Sequence, residues 1–248
     1  MQRNGSLLLA TGAILTLSLS GLVNGAGSIK NTKHNMSASG TGTFIADTQA
    51  TTGTDEICVF CHTPHMNVTK NDSLPLWNHK MSTSTATYTM YKSSTFNQGA
   101  LTLDAPDSVD DVDNVGNVMS VTNLCLSCHD GTQAINAMMN PPNRLGASNP
   151  TMQSATDELT GNAMLGTDLT NDHPVNFTYQ ASIDNGDGGL NAVTGDTVGA
   201  VRLFDGTVQC ASCHNPHTDY SAAGDVGMTP FLRVSIVGST LCLTCHDK

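Results

Sequence analysis

Aliphatic bulk is what this chain has least of. Past residue 25, Leu, Ile, Val and Phe supply only 42 of 223 residues, below the roughly 20% at which disorder becomes the default expectation. There is one Trp, and aromatics make up 4% of the chain. Side-chain packing on that scale cannot offset the entropy of ordering a chain this long, so something else has to supply a core. Positive charge is also scarce: 10 Lys and Arg against 21 Asp and Glu, a net charge of −11. That balance excludes nucleic acid and anionic membranes as partners and favours basic partners or positively charged surfaces. Long apolar runs are missing after the first 25 residues, which excludes membrane insertion of a mature chain. The exception at the start, LLLATGAILTLSLSGLV after Arg3 and before small residues, has the form of a secretory signal peptide over 1–25. No cysteine lies near its expected cleavage point after Gly25 to carry a lipid.

Cysteine is abundant and confined to one pattern. All eight cysteines fall in pairs with two residues between them: Cys58/Cys61, Cys125/Cys128, Cys210/Cys213 and Cys242/Cys245. Each pair is followed at once by histidine: His62, His129, His214 and His246. An exported chain with eight cysteines could be a disulfide scaffold, and paired C-x-x-C could hold zinc. Neither accounts for the four histidines, whose coincidence has odds on the order of 10⁻⁶ at this chain's histidine frequency. The C-x-x-C-H spacing predicts four covalently attached haem c groups. Two thioethers would fix one edge of each porphyrin, and the adjacent imidazole would reach its iron from one face.

The four sites alternate between two types. CVFCHTPH (58–65) matches CASCHNPH (210–217), and NLCLSCHDG (123–131) matches TLCLTCHDK (240–248). The chain reads as two dihaem modules, 26–145 and 146–248, the first carrying a long insertion. Each module has one further upstream histidine, His34 and His173. The repeat therefore aligns His34 with His173, His62 with His214, His65 with His217, and His129 with His246. Four proximal ligands (His62, His129, His214, His246) and four distal ones (His34, His65, His173, His217) would cap four irons on both faces. His79 has no counterpart and is a candidate for a spare, a replacement distal ligand, or a ligand to a neighbouring subunit.

His65 sits one turn from His62, on the same side of the porphyrin, which blocks its path to the far face. It is therefore expected to serve the haem on Cys125/Cys128, as His217 would serve the haem on Cys242/Cys245, with Pro64 and Pro216 stiffening the links. His34 and His173 would then cap the first haem of each module. The stacked porphyrins would be the missing core. The expected fold is irregular and loop-rich, with short helices at the attachment sites, little sheet, and long Gly/Asn/Thr loops over 146–172 and 184–200. The methionines read as gap fillers. The acidic segments 104–113 and 184–189 do not match a calcium loop and read as solvated turns. Trp77, Tyr88 and Tyr91 either pack on a haem or anchor the insertion.

The doubled C-x-x-C-H-x-P-H and L-C-L-x-C-H modules resemble the doubled-motif multihaem c-type cytochromes. With four sites behind a signal peptide, the chain is specifically similar to the tetrahaem extracellular cytochrome filaments, or nanowires, of metal-respiring bacteria. The resemblance implies bis-histidine ligation and electron transport rather than enzymatic turnover. It also implies subunits polymerised head to tail, and one iron taking a histidine from the adjacent subunit, with His34 and His79 as the positions to test. Its partners would be further copies of the chain, redox-partner cytochromes and extracellular electron acceptors. The location would be extracellular or at the cell surface, with a periplasmic shuttle as the alternative. An oxyanion reductase would need an open haem and a basic funnel, and the few basic residues supply little of the latter.

Overall fold

A computed structural model of the chain describes residues 27–49, 51–64, 76–82, 88–94, 96, 120–142, 145–146, 148–186, 188–219 and 226–247. The expected signal peptide over 1–25, His65 and the acidic segment 104–113 lie outside the described residues.

Loops dominate, because few segments carry enough periodic apolar residues to hold a long element. The helices are α1 (Val121–His129), α2 (Tyr179–Asp184), α3 (Cys210–Cys213) and α4 (Thr240–Cys245), with a 3₁₀ turn at Cys58–Phe60. Every C-x-x-C-H therefore sits on a helical turn. The histidine N–H donates to the carbonyl of the first cysteine in His62→Cys58 (2.7 Å), His214→Cys210 (3.0 Å) and His246→Cys242 (2.9 Å). Residues i, i+3 and i+4 share one face of such a turn, so both sulfurs and the ring emerge on the same side.

The strands are two residues long and pair two at a time. They are β1 (Gly27–Ser28) with β8 (Thr218–Asp219), β2 (Thr89–Met90) with β3 (Asp168–Leu169), β4 (Phe177–Thr178) with β7 (Thr207–Val208), and β5 (Thr197–Val198) with β6 (Val201–Arg202). Among the described residues only β2 with β3 is parallel. Apolar burial is split into small clusters. One joins Met36, Ala46, Phe60, Ile135, Met138 and Met152; another joins Phe177, Tyr179, Val198, Leu203 and Val208. Such islands match a chain poor in aliphatic residues.

Contacts run across the expected seam at 145/146. Asp47 N–H donates to Thr151 O (2.8 Å), Ile135 N–H to Asp157 O (2.8 Å), and Met152 packs in the first cluster with Met36 and Phe60. The N-terminal arm pairs through β1 with β8 at the other end of the chain. The loops expected over 146–172 and 184–200 carry turns and short strands that close against the rest, as β3 does against β2. Among the described residues, no helix is long and apolar enough to cross a membrane.

Candidate haem-attachment array

Helices this short do not hold themselves, and each attachment turn is fastened by a polar side chain from elsewhere. At the first site, buried Asn78 donates through Nδ2 to Val59 O (2.6 Å) and Asn140 O (2.9 Å), while its N–H donates to Cys61 O (2.9 Å). At the second, Ser120 caps α1 by accepting from Asn123 N–H (3.2 Å). Gln209, distant in sequence, accepts at Oε1 from Thr122 N–H (3.1 Å) and Thr122 Oγ1–H (2.6 Å). Gln209 Nε2 in turn donates to Thr207 Oγ1 (2.8 Å) and Asn176 Oδ1 (3.1 Å). At the third, Arg233 Nε donates to Ala211 O (2.8 Å) and His214 O (3.2 Å). At the fourth, Asn191 Nδ2 donates to Leu243 O and Thr244 O (both 3.1 Å), and the Tyr179 hydroxyl is shared between Asn191 O (3.0 Å) and Cys245 O (3.1 Å).

These fastenings place the sites side by side in sequence order. Cys61 is an electrostatic neighbour of Cys128, Cys125 of Cys210, and Cys213 of Cys245. Cys58 and Cys242, at the two ends of this series, are the exposed cysteines. No two of the eight sulfurs are joined in a disulfide. Burial pushes Cys61 up to about 12 and Cys213 up to about 11, so these thiols stay protonated.

The histidines pair across these sites. Ring centres lie 6.2 Å apart in His34/His129, 6.0 Å in His62/His217 and 6.4 Å in His173/His246. A metal–imidazole bond of about 2.0–2.1 Å, with the ring centre about 1.1 Å beyond the nitrogen, puts two imidazoles on opposite faces of one iron about 6.3 Å apart. The Nδ1 atoms face backbone carbonyls: His129 to Ala163 O (2.7 Å), His173 to Pro174 O (2.9 Å) and His214 to Pro230 O (3.0 Å). Donation through Nδ1 selects the tautomer that leaves the Nε2 lone pair for a metal. His34 is held neutral: burial first, then His129, His217 and His214, push it down to about 4. Its Nδ1 and Trp77 Nε1 are buried with no hydrogen-bond partner, and each belongs to a ring lying against a paired histidine or its neighbour. The residues present therefore fit a haem at these sites. Among the described residues no three His, Cys, Asp or Glu side chains converge on one point, as a structural zinc would require.

The partners differ from those expected. His217 lies beside His62 rather than His246, His34 beside His129 rather than His62, and His173 beside His246 rather than His214. β1 and β8 draw the N-terminal arm against the segment next to His217, a contact that a module-by-module reading does not include. His65 lies outside the described residues. His79 is fully buried, with Nδ1 2.8 Å from Lys80 O and Nε2 2.9 Å from Ala134 O, so neither ring nitrogen is left for an iron or a neighbouring subunit.

Trp77 packs edge-on against His62 (6.0 Å, 90°), Tyr91 against Phe96, and the Tyr88 hydroxyl donates to Asp130 (2.6 Å). Asp130, buried, also accepts from Ser82 and from Thr132 N–H (2.8 Å), which fixes the chain just after His129. Gln209, Asn78, Arg233, Asn191 and Phe231 are the site residues that motif reasoning passes over; only the fold reveals their reach. No family model matches the chain, and no curated protein matches it.

Proposed function

We propose that this chain is an exported tetrahaem c-type cytochrome that carries electrons, polymerised head to tail into an extracellular filament. The observation that carries the reading is the coincidence of four C-x-x-C-H turns with imidazole pairs at the spacing of two ligands on one iron. Thioethers at the eight cysteines and Nε2 of the paired histidines would hold the haems. When bound, each haem iron supplies a reversible one-electron couple. The chain's own residues do the rest. Carbonyls of Ala163, Pro174 and Pro230 orient the rings, and the fastened turns hold successive sites in contact. Imidazoles on both sides of an iron leave no open position for a substrate, which favours electron transfer over catalysis.

The filament reading is supported by the exposed termini of the series: Cys58 at one end, and Cys242 with exposed Ile236, Val237 and Leu243 at the other. Unlike ends that meet without closing form open helical fibres. Intact mass and a pyridine haemochrome assay on exported protein should give four covalent haems, all low-spin. A colourless product, or one that carries zinc, overturns the reading. Electron microscopy of the same material should show filaments; monomers alone would leave a soluble periplasmic shuttle.

A further inference from the structure

The geometry points to two electronic kinds of haem site within the one chain, set by the angle between the paired imidazole planes. We infer that the His62/His217 site has the lowest reduction potential of the three paired sites and that the His34/His129 site is the easiest to reduce. This rests on the haem reading above.

The planes of His62 and His217 are nearly parallel, 16° apart. Those of His34 and His129 cross at 72°, and those of His173 and His246 at 73°. The angles are held rather than incidental. His129 is pinned by Ala163 O, His173 by Pro174 O, and His62 by the edge-on Trp77. His34 rests against the ring of Phe231, 4.6 Å away and tilted 44°. Phe231 is itself fixed by a left-handed backbone (φ 57°) and by the bond from Asn215 N–H to its carbonyl (2.7 Å).

An axial imidazole donates π density into the iron d orbital perpendicular to its own plane. Parallel rings act on the same orbital and split the pair, whereas crossed rings raise both orbitals alike. A low-spin ferric iron has one vacancy in that set and gains from the splitting. A ferrous iron, with the set full, does not. The parallel site is therefore held ferric more strongly. His34 acts in the same direction at its own site: its Nδ1 has no acceptor, so the ring has less anionic character and stabilises ferric iron less. The array slopes from its first site towards its second.

Frozen-solution EPR and a spectroelectrochemical titration of the haem-loaded protein test this, with Phe231→Leu and Phe231→Tyr alongside. The ferric wild type should show both a rhombic signal and large-g single-feature signals. The rhombic species should be the last of the paired sites to disappear on reduction. Phe231→Leu should shift or broaden one large-g component and leave the rhombic one unchanged, while Phe231→Tyr keeps the wild-type spectrum. A single class of signal, or a rhombic species that is reduced first, overturns the inference. So does a Phe231→Leu spectrum identical to wild type. Absence of any low-spin ferric signal in the wild type would instead remove the haem reading itself.

Discussion

Replacing Gln209 by Leu should loosen the contact between the second and third attachment sites. Gln209 makes four side-chain hydrogen bonds, two accepted from Thr122 and two donated to Thr207 and Asn176, all but the one to Thr207 buried. One of them satisfies Thr122 N–H in the first turn of α1, where no intrahelical acceptor exists. Leucine nearly matches the volume and leaves those partners without one. Each buried group left unsatisfied costs about 1–3 kcal/mol, and some will find new partners, so the expected loss is about 3–5 kcal/mol. Denaturant unfolding of the haem-loaded variant should show a lower midpoint at unchanged slope. Hydrogen exchange at the Thr122 amide should accelerate more than at amides of the β5/β6 pair, which shares none of these bonds. A Thr122→Val cycle should give non-additive losses with Gln209→Leu, because Thr122 Oγ1 donates to Gln209 and accepts from Cys210 N–H (3.2 Å) in the same network. An unchanged midpoint with unchanged Thr122 exchange would refute the role of Gln209 as the clamp between α1 and α3.

His217→Ala should produce a high-spin fraction from the haem on Cys58/Cys61, the site of His62; a high-spin signal from the Cys242/Cys245 haem would refute the pairing seen in the ring geometry. His79→Gln should keep the low-spin spectrum of the wild type. It should also flatten the acid limb of the stability curve. Burial lowers His79 below its ordinary value of 6.5 against the opposing pull of the Ala134 and Lys80 carbonyls and Asp130. The unfolded chain therefore takes up a proton first, and the stabilisation is complete above about 6.5 and lost as pH falls towards the folded value. Equal acid limbs in both proteins, by urea titration between pH 7 and 4, would deny His79 that role. Gly131→Ala should destabilise by about 1–2 kcal/mol in a thermal melt, since its φ of +72° is left-handed and a Cβ there would meet Met164 Cγ at 2.9 Å.

What could be read from the sequence was local. Cysteine and histidine spacing locates the helical turns, because two thiols and a ring on one face require i, i+3 and i+4. Scarcity of aliphatic residues foretells loops. Which imidazole faces which is a different matter, since it depends on β1 meeting β8 across nearly the whole chain, and two-residue strands leave no periodic trace. Likewise nothing in the letters around Gln209 or Asn78 marks them as clamps; an amide becomes one only when folding delivers an uncapped helix end or stray carbonyls to it. His79 illustrates the converse. Its lack of a repeat counterpart fits the lining of two backbone carbonyls that hold it away from the surface.

The clasp between residues 27–34 and 217–219 makes the two halves mutually dependent. A fragment ending at 145 would keep His62 and His129 but forfeit His217, and one starting at 146 would have no use for it. The motifs repeat, yet a segment of each half reaches across to the other, as in β1 with β8 and Asp47 with Thr151. Pairing residues 27–28 with 218–219 encloses nearly the whole chain between them in one loop.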